Sequence, residues 1–89
     1  MGRLKVSELF PQVRAALEVL VGRKLRKRIT PHASLIVDLG LDSLKVVGLT
    51  MLLEKKLGRP VLLPAWIASV DDPADLTVNS LARFLAEKR

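Results

Sequence analysis

The chain has 89 residues, a formal net charge of +6 and 49% hydrophobic residues. That length holds one small core at the lower end of independent stability, and the apolar content argues against a disordered chain. With no cysteine, disulfides and thiol chemistry of the chain's own are excluded, which suits a reducing cytoplasm. The uncharged stretches 46–53 and 60–70 are too short to span a bilayer. No N-terminal run has the charged-then-apolar form of a signal peptide.

Val6, Leu9, Phe10, Val13, Ala16, Leu17 and Leu20 recur at helical spacing and predict a first helix. Arg14 and Glu18 stand one turn apart and can pair. Ser7 is a candidate N-cap. Proline suits only the first turn of a helix, so Pro11 requires a start near Ser7 or a kink. Gly22 is a plausible C-terminal stop. Next comes Arg23-Lys24-Leu25-Arg26-Lys27-Arg28, five basic residues in six. It reads equally as a solvated helix end, with cations at the negative end of the dipole, or as a docking patch for an acidic partner or a phosphate.

Residues 29–41 read as a loop with one short helical turn from Thr30, Pro31 taking its first position. Leu35 and Leu39 are spaced to enter the core. His32, the only histidine, has no ligand-spaced neighbour and is expected at the surface. Asp42 or Ser43 then caps a second helix running to about Leu57, with Lys55 and Lys56 in its last turn. Gly58 ends it and Pro60 prevents resumption. Leu44, Val47, Met51 and Leu57 form one stripe, and Val46, Leu49, Leu52 and Leu53 widen it. A helix apolar nearly all round cannot be fully buried in so small a domain, so part of it is expected to face a partner. Gly48 costs that helix about 1 kcal/mol and reads either as room for the close approach of a partner or as a position without a role.

Pro64 opens a short third helix, with Trp66 expected in the core. Residues 71–75 form an acidic turn. Thr77 caps a last helix whose inward face is Val78, Leu81, Phe84 and Leu85. The expected fold is all-α, a small antiparallel four-helix bundle with the third helix short, over a single domain at residues 1–89.

A serine at a helix start is usually only a cap. A nucleophilic serine needs an oriented base. His32 is a poor candidate, Asp42 would be a weak base, and no Gly-x-Ser-x-Gly elbow exists. No turnover by the chain alone is expected.

The run Asp38-Leu39-Gly40-Leu41-Asp42-Ser43-Leu44 carries a further signal. Val47, Leu49, Met51, Leu53 and Leu57 follow it, and Thr30-Pro31-His32-Ala33-Ser34-Leu35 precedes it. Over residues 29–57 this pattern resembles the attachment site of acyl carrier proteins. The resemblance implies the same four-helix topology. It implies 4'-phosphopantetheine held as a phosphodiester on Ser43, framed by Asp42, Leu44, Gly40 and Asp38. It further implies a non-catalytic, monomeric, cytoplasmic carrier, loaded by a phosphopantetheinyl transferase. Such a carrier moves acyl or aminoacyl thioesters between enzymes of fatty-acid, polyketide or related biosynthesis.

One departure stands out. Typical members of that family dock an acidic second helix onto basic partners. Here Lys45, Lys55 and Lys56 face the lone Glu54, a balance of +2. A specialised carrier is therefore expected, serving acyl-transferring, ligase or synthase enzymes with acidic faces. Its candidate docking residues are Lys45, Val46, Leu49, Met51, Lys55 and Lys56. Residues 60–77, with Pro64 and Trp66, look more like those of carriers in polyketide or peptide assembly lines. A basic nucleic-acid binder and an interaction module with Ser43 unmodified are the competing classes. Nucleic acid is disfavoured because the basic run does not lie along a recognition helix and base-reading side chains are absent.

Overall fold

A computed structural model describes residues 5–87. Its elements are α1 (Val6–Leu20), α2 (Arg23–Arg26), α3 (Ser43–Leu57), α4 (Leu63–Ser69), a 3-10 turn (Pro73–Asp75) and α5 (Val78–Glu87). There is no β-strand among the described residues, only an isolated bridge between Ser34 and Thr77. The fold is the expected small helical bundle with one added turn, α2, inside the basic run. That turn forms because Gly22 stays extended and its carbonyl accepts the Leu25 N–H at 3.0 Å. The half-buried Leu25 packs against the core.

Two helix ends of α1 differ from the sequence reading. The cap is Lys5, not Ser7: the Lys5 N–H donates to the Glu8 carboxylate at 2.9 Å. Pro11 lies well inside α1, so the helix forgoes one internal N–H donor there. At the other end Val21 turns extended and its N–H bonds the Leu17 carbonyl at 2.9 Å. Gly22 is thus not a left-handed stop. Arg14 and Glu18 do pair, at 3.5 Å, an exposed contact worth little.

α1 packs against both α5 and α3, and α4 rests on α3. Leu9, Val13 and Leu17 of α1 meet Leu49 and Leu53 of α3, Leu63 of α4, and Val78, Leu81 and Leu85 of α5 in one core cluster. Thr77 caps α5 as expected, its hydroxyl accepting the Ser80 N–H at 3.0 Å while the Ser80 hydroxyl accepts the Thr77 N–H at 2.8 Å. Trp66 is half-buried and stacks on Phe84, ring centroids 5.4 Å apart. Gly58, at φ 68°, closes α3 with its N–H on the Glu54 carbonyl. The place of Gly48 is set within the chain: a β-carbon there would stand 3.0 Å from the Leu20 side chain. The glycine admits α1 rather than a partner.

α3 divides its apolar residues between two faces. Leu49 and Leu53 are fully buried, whereas Leu44, Val47 and Met51 are 79%, 52% and 65% exposed. Leu49 is therefore a core residue and not part of a docking face. Its period places it one turn from Val46 on the side that meets α1. Leu49→Ala is expected to cost about 2–5 kcal/mol and Met51→Ala no more than about 0.5 kcal/mol, as measured by urea unfolding.

Candidate functional site: the turn before α3 and its first residues

Residues 34–41 form a wound turn, not the helical turn expected from Thr30. The earlier Thr30-Pro31-His32-Ala33 segment is a β-turn, the Ala33 N–H reaching the Thr30 carbonyl at 3.1 Å. Proline suits its second position. Beyond it, Ser34 is 3% exposed and holds the turn together. Its N–H donates to the Asp38 carboxylate at 2.7 Å and its hydroxyl accepts the Val37 N–H at 3.0 Å. Its carbonyl accepts the N–H groups of Asp38 and Leu39, each at 3.0 Å. The hydroxyl proton goes across the molecule to the Pro73 carbonyl, 3.0 Å away. The sequence reading missed Ser34 as a hub; the signal available was its i, i+4 spacing to Asp38.

The same segment is tied to the chain before and at the start of α5. Leu35 donates to the Leu76 carbonyl at 2.7 Å, Val78 to Ala33 at 3.0 Å and Asn79 to Pro31 at 2.9 Å. Leu35, Leu39 and Leu41 are buried beneath. Gly40, at φ 66°, takes the left-handed conformation that lets the chain leave the turn and start α3.

Asp42 settles which residue caps α3. Its carboxylate accepts the Lys45 N–H at 2.9 Å, and its carbonyl accepts the Val46 N–H at 2.9 Å. Ser43 is the first helical residue, exposed. Its hydroxyl makes no hydrogen bond to another described residue. The cap's work is done by its neighbour, so the hydroxyl is left over. The Ser43 and Leu44 N–H groups precede the first internal bond of the helix and point out of its positive end. An exposed hydroxyl beside unbonded N–H donors at the positive end of a helix suits attachment of a phosphodiester.

An open apolar groove of about 510 Å³ lies alongside, lined by Ile36, Leu41, Asp42, Ser43, Val46, Val47, Pro64 and Ile67. α3 supplies one wall and α4 the other. Of the expected site residues, the structure brings Asp42, Ser43 and Val46 to this groove. Asp38 and Gly40 serve the turn, and Leu44 points to solvent. His32 is exposed, and no cluster of metal-ligating side chains exists among the described residues. Lys55 and Lys56 are exposed at the far end of α3. Glu54, the helix's one acid, is turned inward to accept the Val61 N–H at 2.9 Å.

The described residues form a small helical bundle with an unused serine hydroxyl exposed at the start of α3. The family model for the phosphopantetheine attachment site matches residues 11–63, and the chain belongs to that family. Its members are carriers that hold 4'-phosphopantetheine covalently, and a carrier implies enzymes that act on it. No curated protein and no solved structure matches the chain. No helix of the described residues is long and apolar enough to cross a membrane.

The division of labour at the turn can be measured. Asp42→Ala is expected to cost about 1 kcal/mol, the loss of a cap. Ser43→Ala should stay within about 0.5 kcal/mol. Ser34→Ala should cost about 1–3 kcal/mol, because it removes two hydrogen bonds, one from the Val37 N–H and one to the Pro73 carbonyl. Thermal unfolding followed by circular dichroism ranks the three.

Proposed function

We propose that Ser43 is the attachment serine and that residues 1–89 make one carrier domain, which catalyses nothing itself and serves as substrate for other enzymes. The observation that carries this is the exposed Ser43 hydroxyl, which caps nothing and stands at the start of a 15-residue helix beside an apolar groove. In loading, the Ser43 oxygen bonds to the phosphorus of the phosphopantetheinyl part of coenzyme A. The diphosphate bond breaks, adenosine 3',5'-bisphosphate leaves, and the transferase takes the hydroxyl proton. When bound, the group supplies a terminal thiol that holds an acyl or aminoacyl unit as a thioester. The chain's own residues do the rest. Gly40 and Asp42 aim the start of α3 outward, and Ile36, Val46 and Ile67 offer the cargo a dry wall. A tethered substrate then meets each docked enzyme at high effective concentration.

The enzymes served are read from α3. Leu44, Val47 and Met51 form an exposed apolar stripe. Lys45, Lys55 and Lys56 flank it, and none of their side chains bonds another described residue. With Glu54 occupied by Val61, the outward charge of α3 is cationic. This supports docking onto acidic-faced acyl-transferring, ligase or synthase enzymes, in a specialised pathway rather than general fatty-acid synthesis. Val46, at the groove wall, belongs to the same surface.

Intact mass after incubation with coenzyme A and a broad-specificity phosphopantetheinyl transferase tests the attachment. A gain of one phosphopantetheine is expected, and none for Ser43→Ala. Gain by that variant would place the attachment elsewhere. Lys45→Glu with Lys55→Glu is expected to speed loading by a basic-faced transferase at low salt; unchanged kinetics would refute the charge argument.

A further inference from the structure

The basic run at 23–28 is not used by the fold. Only Leu25 packs inward, and the Arg26 side chain donates to the Glu18 carbonyl at 3.2 Å. Arg23, Lys24, Lys27 and Arg28 are exposed, and their side chains bond no other described residue. The acids are disposed in the opposite way. Glu8, Asp38, Asp42, Glu54 and Asp72 each accept a backbone N–H, and Glu18 pairs with Arg14. Of the eight acidic side chains described, only those of Asp71 and Asp75 have no such use.

Two contacts locate the run. Leu20, three residues before Arg23, lies against Gly48, the sixth residue of α3. At about 1.5 Å per residue, that is about 7.5 Å along the axis from Ser43. At the other end of the run, Arg28 lines one pocket with Thr30, His32 and Asp38. Asp38 belongs to the turn that delivers Ser43. The run thus leaves the middle turns of α3 at one end and reaches the turn before Ser43 at the other.

We infer that Arg23, Lys24, Lys27 and Arg28, together with Lys45, form a second docking surface beside Ser43, whose occupant is the acidic face of an enzyme that acts on that serine. This rests on the carrier reading above and adds to it a contact lying off α3. Every enzyme that reaches Ser43 must cover this end of the molecule, and a cluster of unpaired cations there raises the encounter rate of a negatively charged surface. The apolar stripe of α3 provides a dry centre and the run a charged rim, the anatomy of a protein interface. A lipid surface fits less well. The exposed apolar side chains are aliphatic, and Trp66 and Phe84 are half-buried against each other rather than presented to a headgroup layer. Single-stranded nucleic acid would need exposed aromatic platforms, and the run offers none.

The test uses the whole chain and two phosphopantetheinyl transferases, one with an acidic and one with a basic carrier-facing surface. The variant Arg23→Glu, Lys24→Glu, Lys27→Glu, Arg28→Glu leaves Arg26 and Leu25 in place. With the acidic-faced enzyme, kcat/KM for loading Ser43 should fall by about tenfold or more, mainly through KM, and the gap should close as salt is raised. With the basic-faced enzyme, loading should rise. Equal loading of variant and wild type by the acidic-faced enzyme at low salt would overturn the inference. So would equal losses with both enzymes, since that is the pattern of a damaged fold. Run-dependent binding to single-stranded DNA or to phosphatidylserine vesicles, tighter than to the acidic-faced enzyme, would also overturn it. Failure of both enzymes to load the wild type is a separate result, which sinks the carrier reading itself.

Discussion

The buried hydroxyl and backbone of Ser34 are the constraint on which the functional end of this molecule depends. A connection running from Ile29 to Leu41 has no helix to satisfy its polar groups, yet it must cross the core to deliver Leu35, Leu39 and Leu41. Ser34 resolves this by bonding at every polar position it has: N–H to Asp38, carbonyl to Asp38 and Leu39, hydroxyl to Val37 and Pro73. No buried side-chain polar atom is left unpartnered among the described residues. The bond to Pro73 spans 39 residues of sequence, so the turn before α3 and the turn before α5 are held as one piece. The start of α3 is aimed by this node rather than by the helix itself.

From that fixed start, α3 serves two surfaces at once. Its inner face, Leu49 and Leu53, is packed into the core beside α1, and Gly48 lets Leu20 come within a distance that a β-carbon would contest. Its outer face keeps Leu44, Val47 and Met51 in solvent. Holding large apolar side chains in water forgoes about 1.5–3 kcal/mol each relative to burial. In a chain with so small a core that is a large concession, and it makes sense only where something else covers the stripe. The groove toward α4 extends the same logic, since α4 is short and is held by α3 and by the stack of Trp66 on Phe84 of α5.

Most of the bundle was legible in the sequence because its signals are local. Apolar spacing marks α1, α3 and α5; Gly58 and Pro60 stop α3; Thr77 starts α5; Pro64 opens α4. The errors fall where a tertiary contact decides. Ser7 looked like a cap, but Glu8 reaches back to the Lys5 N–H. Gly22 looked like a stop, but the chain stays extended to seat Leu25. Leu49 looked like part of an outer stripe, but α1 covers it. Gly48 looked like room for a partner, but the room is filled by Leu20. At the site, the motif from Asp38 to Leu44 pointed to Ser43 and left open whether Asp42 or Ser43 was the cap. Only the geometry separates them. The bond from Ser34 to Pro73 joins segments too distant for any periodicity to reveal.

One set of acids and one set of cations in this chain have separate tasks. Glu8, Asp38, Asp42, Glu54 and Asp72 hold backbone N–H groups, so each is bound to the fold. Arg23, Lys24, Lys27, Arg28, Lys45, Lys55 and Lys56 hold nothing within it. The two sets are therefore held by different physical constraints. Changing one of those acids disturbs the architecture, whereas changing one of those cations leaves the architecture alone and alters only what the molecule meets. A lineage carrying this fold can change its associates by substituting surface cations one at a time, with little loss of stability at each step.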